Sequence, residues 1–328
     1  MKKYWNASRW LIVMSMVNFL LVIGCSEKDS SNLTVDEEEI QNQIIEDADE
    51  IIGVDILGES DATGYSKSYD GEAVVLSKSA SPIDSIKGYG RVVRMSRRDI
   101  QITVAEDTMS AEAEITFLMK GNFVIRAENP DGEGLVKYTK PLEHEMKRIV
   151  RFVRNTDPEI DRRWLVSEVS AGFGISKNGT MSLSSVNVTI HSAAGVTDFG
   201  FTDPLAYFIE RGGLPQVSQG DTVTVEVGIT NSNADDAPMG WIHRGKNRNA
   251  KIAGMRVKHL FNDEGTYGDR VTGDGIYTVR WIVGPTEFAG VHVGALDFVT
   301  HSTVYESDAD AAPYNSLIVA LPYRKVIN

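Results

Sequence analysis

The chain has 328 residues, with 33 Lys and Arg against 46 Asp and Glu, so its formal net charge is −13. So acidic a protein offers no basic stripe to neutralise phosphates, which makes nucleic acid a poor partner. At 42% hydrophobic it has the composition of a globular protein, and it is long enough for two ordinary cores. In chain order, the first element is MKKYWNASRWLIVMSMVNFLLVIG, a basic leader (Lys2, Lys3, Arg9) followed by an apolar run from Trp10 to Ile23. That run falls short of the about 20 apolar residues a spanning helix needs, and it has the layout of a secretory signal.

The run ends in Val22-Ile23-Gly24-Cys25, and Cys25 is the single cysteine. An aliphatic residue, a variable one, a small one and then cysteine resemble the lipobox of bacterial lipoproteins. The resemblance implies a signal peptide, residues 1–24, cleaved before a diacylated Cys25, and a mature chain held at a membrane by palmitate-like chains. Each buried CH₂ of such a chain contributes about 0.8 kcal/mol. Cleavage removes three positive charges and no acid, so −13 becomes −16. Ser26, where an aspartate would mark retention, resembles the outer-membrane address of enterobacterial lipoproteins. Glu27 and Asp29 resemble the acidic surface-export signal of some other phyla, so both a periplasmic-facing and a surface-exposed body stay open.

Residues 25–34 are polar and acidic and read as a flexible tether. Thr34 and Glu37 then have capping-box spacing, with Asp36 to Glu39 in a first turn where the helix dipole favours anions. Ile40, Ile44, Ala48, Ile51 and Ile52 recur at helical steps and predict one apolar stripe. Residues 59–90 read as loop. Strands are predicted from the alternation of Ile100, Ile102 and Val104, and of Ala111, Ala113, Ile115, Phe117 and Met119. NFVIRAE, EMKRIVRFVRN and RRWLVSEVS follow, separated by turn-forming NPDGEG and NTDPEIDRR. This order, one helix and then long antiparallel strands, resembles the cystatin-like or nuclear-transport-factor-like α+β cone, and implies a first domain over residues 35–175.

GFGISKNGTMS reads as a linker, and TDPLAYFIERGGLP as a brief helix capped at Thr202 or Asp203 and ended by Gly212 and Gly213. Alternation then returns in Val186, Val188 and Ile190, in Val223 to Ile229, and in four later stretches ending in NSLIVALPYRKV. About seven short strands predict an antiparallel β-sandwich of immunoglobulin or fibronectin type over residues 180–328. The expected fold class is therefore mainly β with two domains, the first α+β.

Between two of those strands lies NDEGTYGDRVTGDGIY, residues 262–277. It resembles the D-D-G-x-x-G-D-x-x-x-G-D-G-x-Y signature of immunoglobulin-like domains in bacterial surface and secreted proteins, with Glu264 replacing the second aspartate. Asp263, Glu264, Asp269 and Asp274 supply the carboxylates a calcium ion would want, with carbonyls and water completing six to eight oxygens. The same Asp-Gly pairs also serve tight turns without any ion, so both readings stand. The six histidines have no zinc-helix spacing. HRGKNRN, residues 243–249, is a small basic patch; with Trp241 beside it, Trp241, His243 and Arg244 are the candidate contacts for an anionic partner.

No nucleophile elbow, phosphate-cradling glycine loop or zinc-protease helix is present in the sequence. The expectation is a non-catalytic lipoprotein that presents its sandwich to a protein or glycan, with no cofactor unless the loop takes calcium. Two alternatives are a carrier or sensor with a small-ligand pocket in the first domain, and a hydrolase in the same place.

Overall fold

The computed structural model describes residues 34–46, 82–246, 256–285 and 289–326. Its first element is helix α1 (Val35–Glu46). The capping box forms: Thr34 N donates to Glu37 Oε2 at 2.7 Å, and Glu37 N donates to Thr34 Oγ1 at 3.3 Å. Ile40 and Ile44 are fully buried, so the helix packs its predicted stripe on the sheet. Asp36 fixes the helix further by accepting from Trp164 Nε1 at 3.2 Å. Ala48, Ile51 and Ile52 lie outside the described residues.

Three long strands follow, β1 (Ile86–Val104), β2 (Ser110–Glu128) and β3 (Leu135–Arg154), paired antiparallel in sequence order. β2 is one continuous strand where two shorter stretches were expected, and β1 begins inside the expected loop. The chain continues through β4 (Trp164–Ser170), β5 (Gly172–Ser176), β6 (Met181–Ser192), β7 (Gly195–Phe201), β8 (Phe208–Glu210) and β9 (Gln216–Val217). It ends with β10 (Thr222–Asn231), β11 (Pro238–Lys246), β12 (Arg256–Leu260), β13 (Ile276–Ile282), β14 (Gly290–Thr300), helix α2 (His301–Tyr305) and β15 (Ser316–Lys325). The protein is mostly β, with two sheets and short helices.

The larger sheet has eleven strands, with the path β1-β2-β3-β5-β15-β14-β11-β12 and with β4, β8 and β9 attached beside it. The smaller has four, in the order β13-β10-β6-β7. The expected linker is corrected by this topology. Gly172 to Ser176 is β5, which pairs with β3 on one side and β15 on the other, so the sheet runs unbroken across it. Among the described residues, ten strands, not about seven, lie from β6 onward. The expected helix at 202–215 is also corrected. Asp203 Oδ1 accepts from Leu205 N at 3.0 Å in a turn, and Phe208–Glu210 then adds to β4 as β8. Tyr207, Phe208 and Ile209 are strand formers, and pairing at a sheet edge satisfies more of their backbone than one helical turn can.

Two hydrophobic cores lie on opposite faces of the strands they share. Strand side chains alternate between faces, so successive residues enter different cores. On β15, Ile318 and Ala320 join the first core with α1 and β1–β3, while Leu317, Val319 and Leu321 join the second with the four-stranded sheet. β14 divides the same way, with Ala295 and Val299 on one side and Leu296 and Phe298 on the other. This is why SLIVAL is buried without interruption: a strand covered on both faces has no polar phase.

Three buried cations tie the long strands to the C-terminal part. Arg91 on β1 forms a fork to Asp297 on β14, with N–O distances of 2.6 and 2.7 Å, and Nε donates to Tyr314 Oη. Lys140 on β3 donates to the carbonyls of Ser302 and Ala312 at 2.7 and 2.6 Å. Arg148 Nη2 donates to Ala320 O at 3.0 Å. Burial lowers Lys140 to about 8 against the pull of Glu306, Asp236 and Asp308, and lowers Arg148 to about 10.

Candidate functional site

The loop that joins β12 to β13 is stitched from its ends inward. Asn262 and Thr278 exchange both backbone hydrogen bonds at 2.8 Å, which closes the loop's base. Tyr277 anchors it in the second core, edge-on to Phe298 at 5.4 Å between ring centroids. Within the loop, Gly265, Gly268, Gly273 and Gly275 all have φ between +70° and +104°. That left-handed backbone is strained for other residues, which accounts for the glycine spacing.

Each aspartate completes a turn. Asp263 Oδ1 accepts from Gly273 N at 3.1 Å, Asp269 Oδ2 from Gly265 N at 2.6 Å, and Asp274 Oδ1 from Ile276 N at 2.9 Å. The same folding brings one carboxylate oxygen of each to within 4.8 Å of the other two. Partial burial raises the Asp263 carboxyl above its usual range; a hydrogen bond from the Gly275 backbone opposes this, and the neighbouring charges of Asp274 and Asp269 add to the rise. Such a cluster suits a hard divalent cation, which would hold all three carboxylates ionised. Glu264, the fourth expected ligand, is exposed and stands apart from these three. Turn chemistry and cation chemistry therefore use the same residues.

Trp241, His243 and Arg244 are not gathered on an exposed tip. Trp241 packs into the first core, 5.4 Å from the Tyr89 ring. His243 is buried on the same face, with Nε2 3.2 Å from Asp297 Oδ2. Arg244 points to the opposite face, where its guanidinium lies 4.5 Å over the Trp281 ring and Nη2 is 2.8 Å from His259 Nε2. The alternation of a strand with a core on each side separates them. Cys25 lies outside the described residues.

Other groupings have no marker in the sequence. Burial alone would raise Asp297, but the charge of Arg91 and hydrogen bonds from His243 and Arg91 outweigh it and hold the carboxyl far below the usual range. The one available signal was an acid in the middle of the otherwise apolar GVHVGALDFVT. On the four-stranded sheet, Tyr207 stacks against Phe201 and Phe199, with ring centroids 4.6 and 6.2 Å away. A groove of about 300 Å³ runs beside them, lined by Thr197, Phe199, Tyr207, Phe208, Glu210 and their neighbours.

Fold and site together define a mostly-β protein of two sheets whose β12–β13 loop gathers three aspartates able to coordinate a divalent cation. Compared with known proteins, the chain matches no protein-family model, no curated protein and no solved structure.

Proposed function

We propose that the chain is a non-catalytic, envelope-anchored lipoprotein, acylated at Cys25, that presents its C-terminal β-layers as a binding module for a glycan. The aromatic groove carries this reading. Its volume of about 300 Å³ sits at the lower bound of small-ligand sites, roughly 300–1,000 Å³, and suits one or two sugar rings. Half-exposed faces of Phe199 and Tyr207 offer flat apolar surface to the C–H face of a sugar, and Thr197 and Glu210 supply polar groups at the margin. In this reading residues 180–328 correspond to an immunoglobulin-like sandwich and α1 with β1–β4 to the cone-like domain. The outer membrane is the proposed anchor.

The test is binding of the acyl-free protein, made from residue 26 onward, to a panel of envelope and host glycans. Tyr207→Ala should weaken any hit at least tenfold while leaving the melting midpoint in place. A hit indifferent to Tyr207→Ala sinks the groove as the site. Proteolysis of intact cells, with a Cys25→Ala strain beside them, tests the anchor: the variant should leave the membrane fraction.

A second reading concerns the loop. Three carboxylates within 4.8 Å of one another favour calcium as a resident ion that stiffens the β12–β13 connection.

A further inference from the structure

The two sheets do not close on each other along their whole length. A cavity of about 60 Å³ remains between them at the end where β6, β10 and β13 face β11, β14 and β15. Its walls are apolar, among them Val188, Val225, Ile242 and Leu296. Two features keep it open. Gly294 on β14 has no side chain to fill it, and an added Cβ would meet nothing nearer than the Tyr323 ring at 3.7 Å. Trp281 covers the other side, and its Nε1–H is buried without an acceptor among the described residues.

A cation stands at this end of the cavity. Arg244 lines it, stacked on Trp281. Two residues beyond Tyr323 on the same strand face, Lys325 donates to Gly284 O at 2.7 Å, next to the lining residue Val283. Among the described residues, no carboxylate lines the cavity. Asp221, whose carbonyl accepts from Val283 N at 2.8 Å, also accepts from Ser218 N at 2.7 Å through its carboxylate. His259, beside Arg244, is brought down to about 4 by burial first and then by the Arg244 charge, so it is neutral at pH 7.

We infer that this cavity binds the end of an aliphatic chain whose anionic head lies at Arg244 and accepts a hydrogen bond from Trp281 Nε1–H. The volume has room for about four to six water-sized groups, which sets the length of chain taken in. Phe199 and Pro215 border both this cavity and the aromatic groove, but the inference does not depend on glycan binding. The chemistry fits a free alkyl carboxylate and the chain of an anionic lipid equally.

The experiment titrates the acyl-free protein with butanoate, hexanoate, octanoate and decanoate below their micelle concentrations, by calorimetry and tryptophan fluorescence. Affinity should rise roughly fourfold per methylene and then level off once the cavity is full. Gly294→Val should lower decanoate affinity at least tenfold, and Gly294→Ala less, with melting midpoints recorded to show both are folded. If Gly294→Val does not fold, Gly294→Ala carries the comparison, since its Cβ makes only ordinary contacts. Arg244→Gln should weaken decanoate and leave decanol unchanged. A flotation assay with phosphatidylglycerol vesicles separates the sources: capture lost in Gly294→Val assigns a lipid chain, and carboxylate binding without capture assigns a soluble acid. Decanoate binding that Gly294→Val leaves unaltered, equal affinity for decanol and decanoate, or no binding to either acid or vesicle overturns the proposal.

Discussion

Replacing His144 by leucine should make the protein more stable, although it removes a polar side chain from a polar neighbourhood. His144 sits on β3 with 2% of its surface exposed, its ring 6.3 Å from that of Tyr314, and neither nitrogen has a hydrogen-bond partner among the described residues. Burial, and then the charge of Arg91, push its pKa from 6.5 to about 3, with Asp297 opposing. The ring is therefore neutral at pH 7 and holds a donor and an acceptor that water satisfies in the unfolded chain. Leaving such groups unmet costs about 1–3 kcal/mol, so leucine, of similar bulk, should add roughly 1–2 kcal/mol. The acid side gives a second signature. Between pH 6.5 and 3 the unfolded chain takes up a proton that the folded one refuses. This part of the stability is complete above pH 6.5 and is lost as pH falls towards 3; by pH 5 the loss is about 2 kcal/mol. Urea titrations of both proteins at pH 7.5 and pH 5 measure this, because other groups titrate alike in the two and cancel. A leucine variant that is weaker at pH 7.5, or that declines towards pH 5 as steeply as the parent, would refute the reasoning.

Asp297→Asn leaves Arg91 buried without its counter-charge and should cost about 3–5 kcal/mol in urea unfolding, whereas Arg91→Met with Asp297→Leu should recover most of it; a loss below about 1 kcal/mol from the single change contradicts the buried fork. Because Lys140 titrates at about 8 when folded and 10.5 when not, the unfolded state keeps its proton longer and stability should rise between those values, by at most about 3 kcal/mol. Lys140→Met should lack that rise in melts at pH 7.5 and pH 10, and equal slopes count against it. Calcium at about 1 mM should stabilise the full chain by about 1.4 kcal/mol if its affinity is that of extracellular modules, near 0.1 mM. Asp263→Asn should remove most of this gain, and melts identical in calcium and chelator would leave the loop as turn chemistry alone. Gly121→Ala would place a Cβ about 2.0 Å from Val92 O, so the β1–β2 pair must shift; a melting midpoint unchanged by that substitution rejects the close approach.

What could be read from the sequence was whatever is local. The α1 cap depends on Thr34 and Glu37, three residues apart, and it formed as expected. Strands with one covered face announced themselves by alternation, as in Ala111 to Met119. The first part of β1 hid because its pairing slips between Val93 and Met95, where a bulge reverses which residues face inward, and because Arg91 is turned into the interior. In the β12–β13 loop the spacing of Gly and Asp marked three residues that do converge, while Glu264, which replaces the pattern's second aspartate, stays out of the cluster. Trp241, His243 and Arg244 look like one patch in the sequence because no local rule tells a reader that both faces of β11 are covered. The Arg91–Asp297 fork joins residues 206 apart, and no periodicity reaches that far.

The strand at the heart of the large sheet is also the last to be made. β15 lies between β5 and β14, and until it leaves the ribosome β5 and β14 have no neighbour on that side and neither core has its shared wall. All fourteen other described strands therefore precede the one that completes both cores, and contacts at such sequence separation are slow to form.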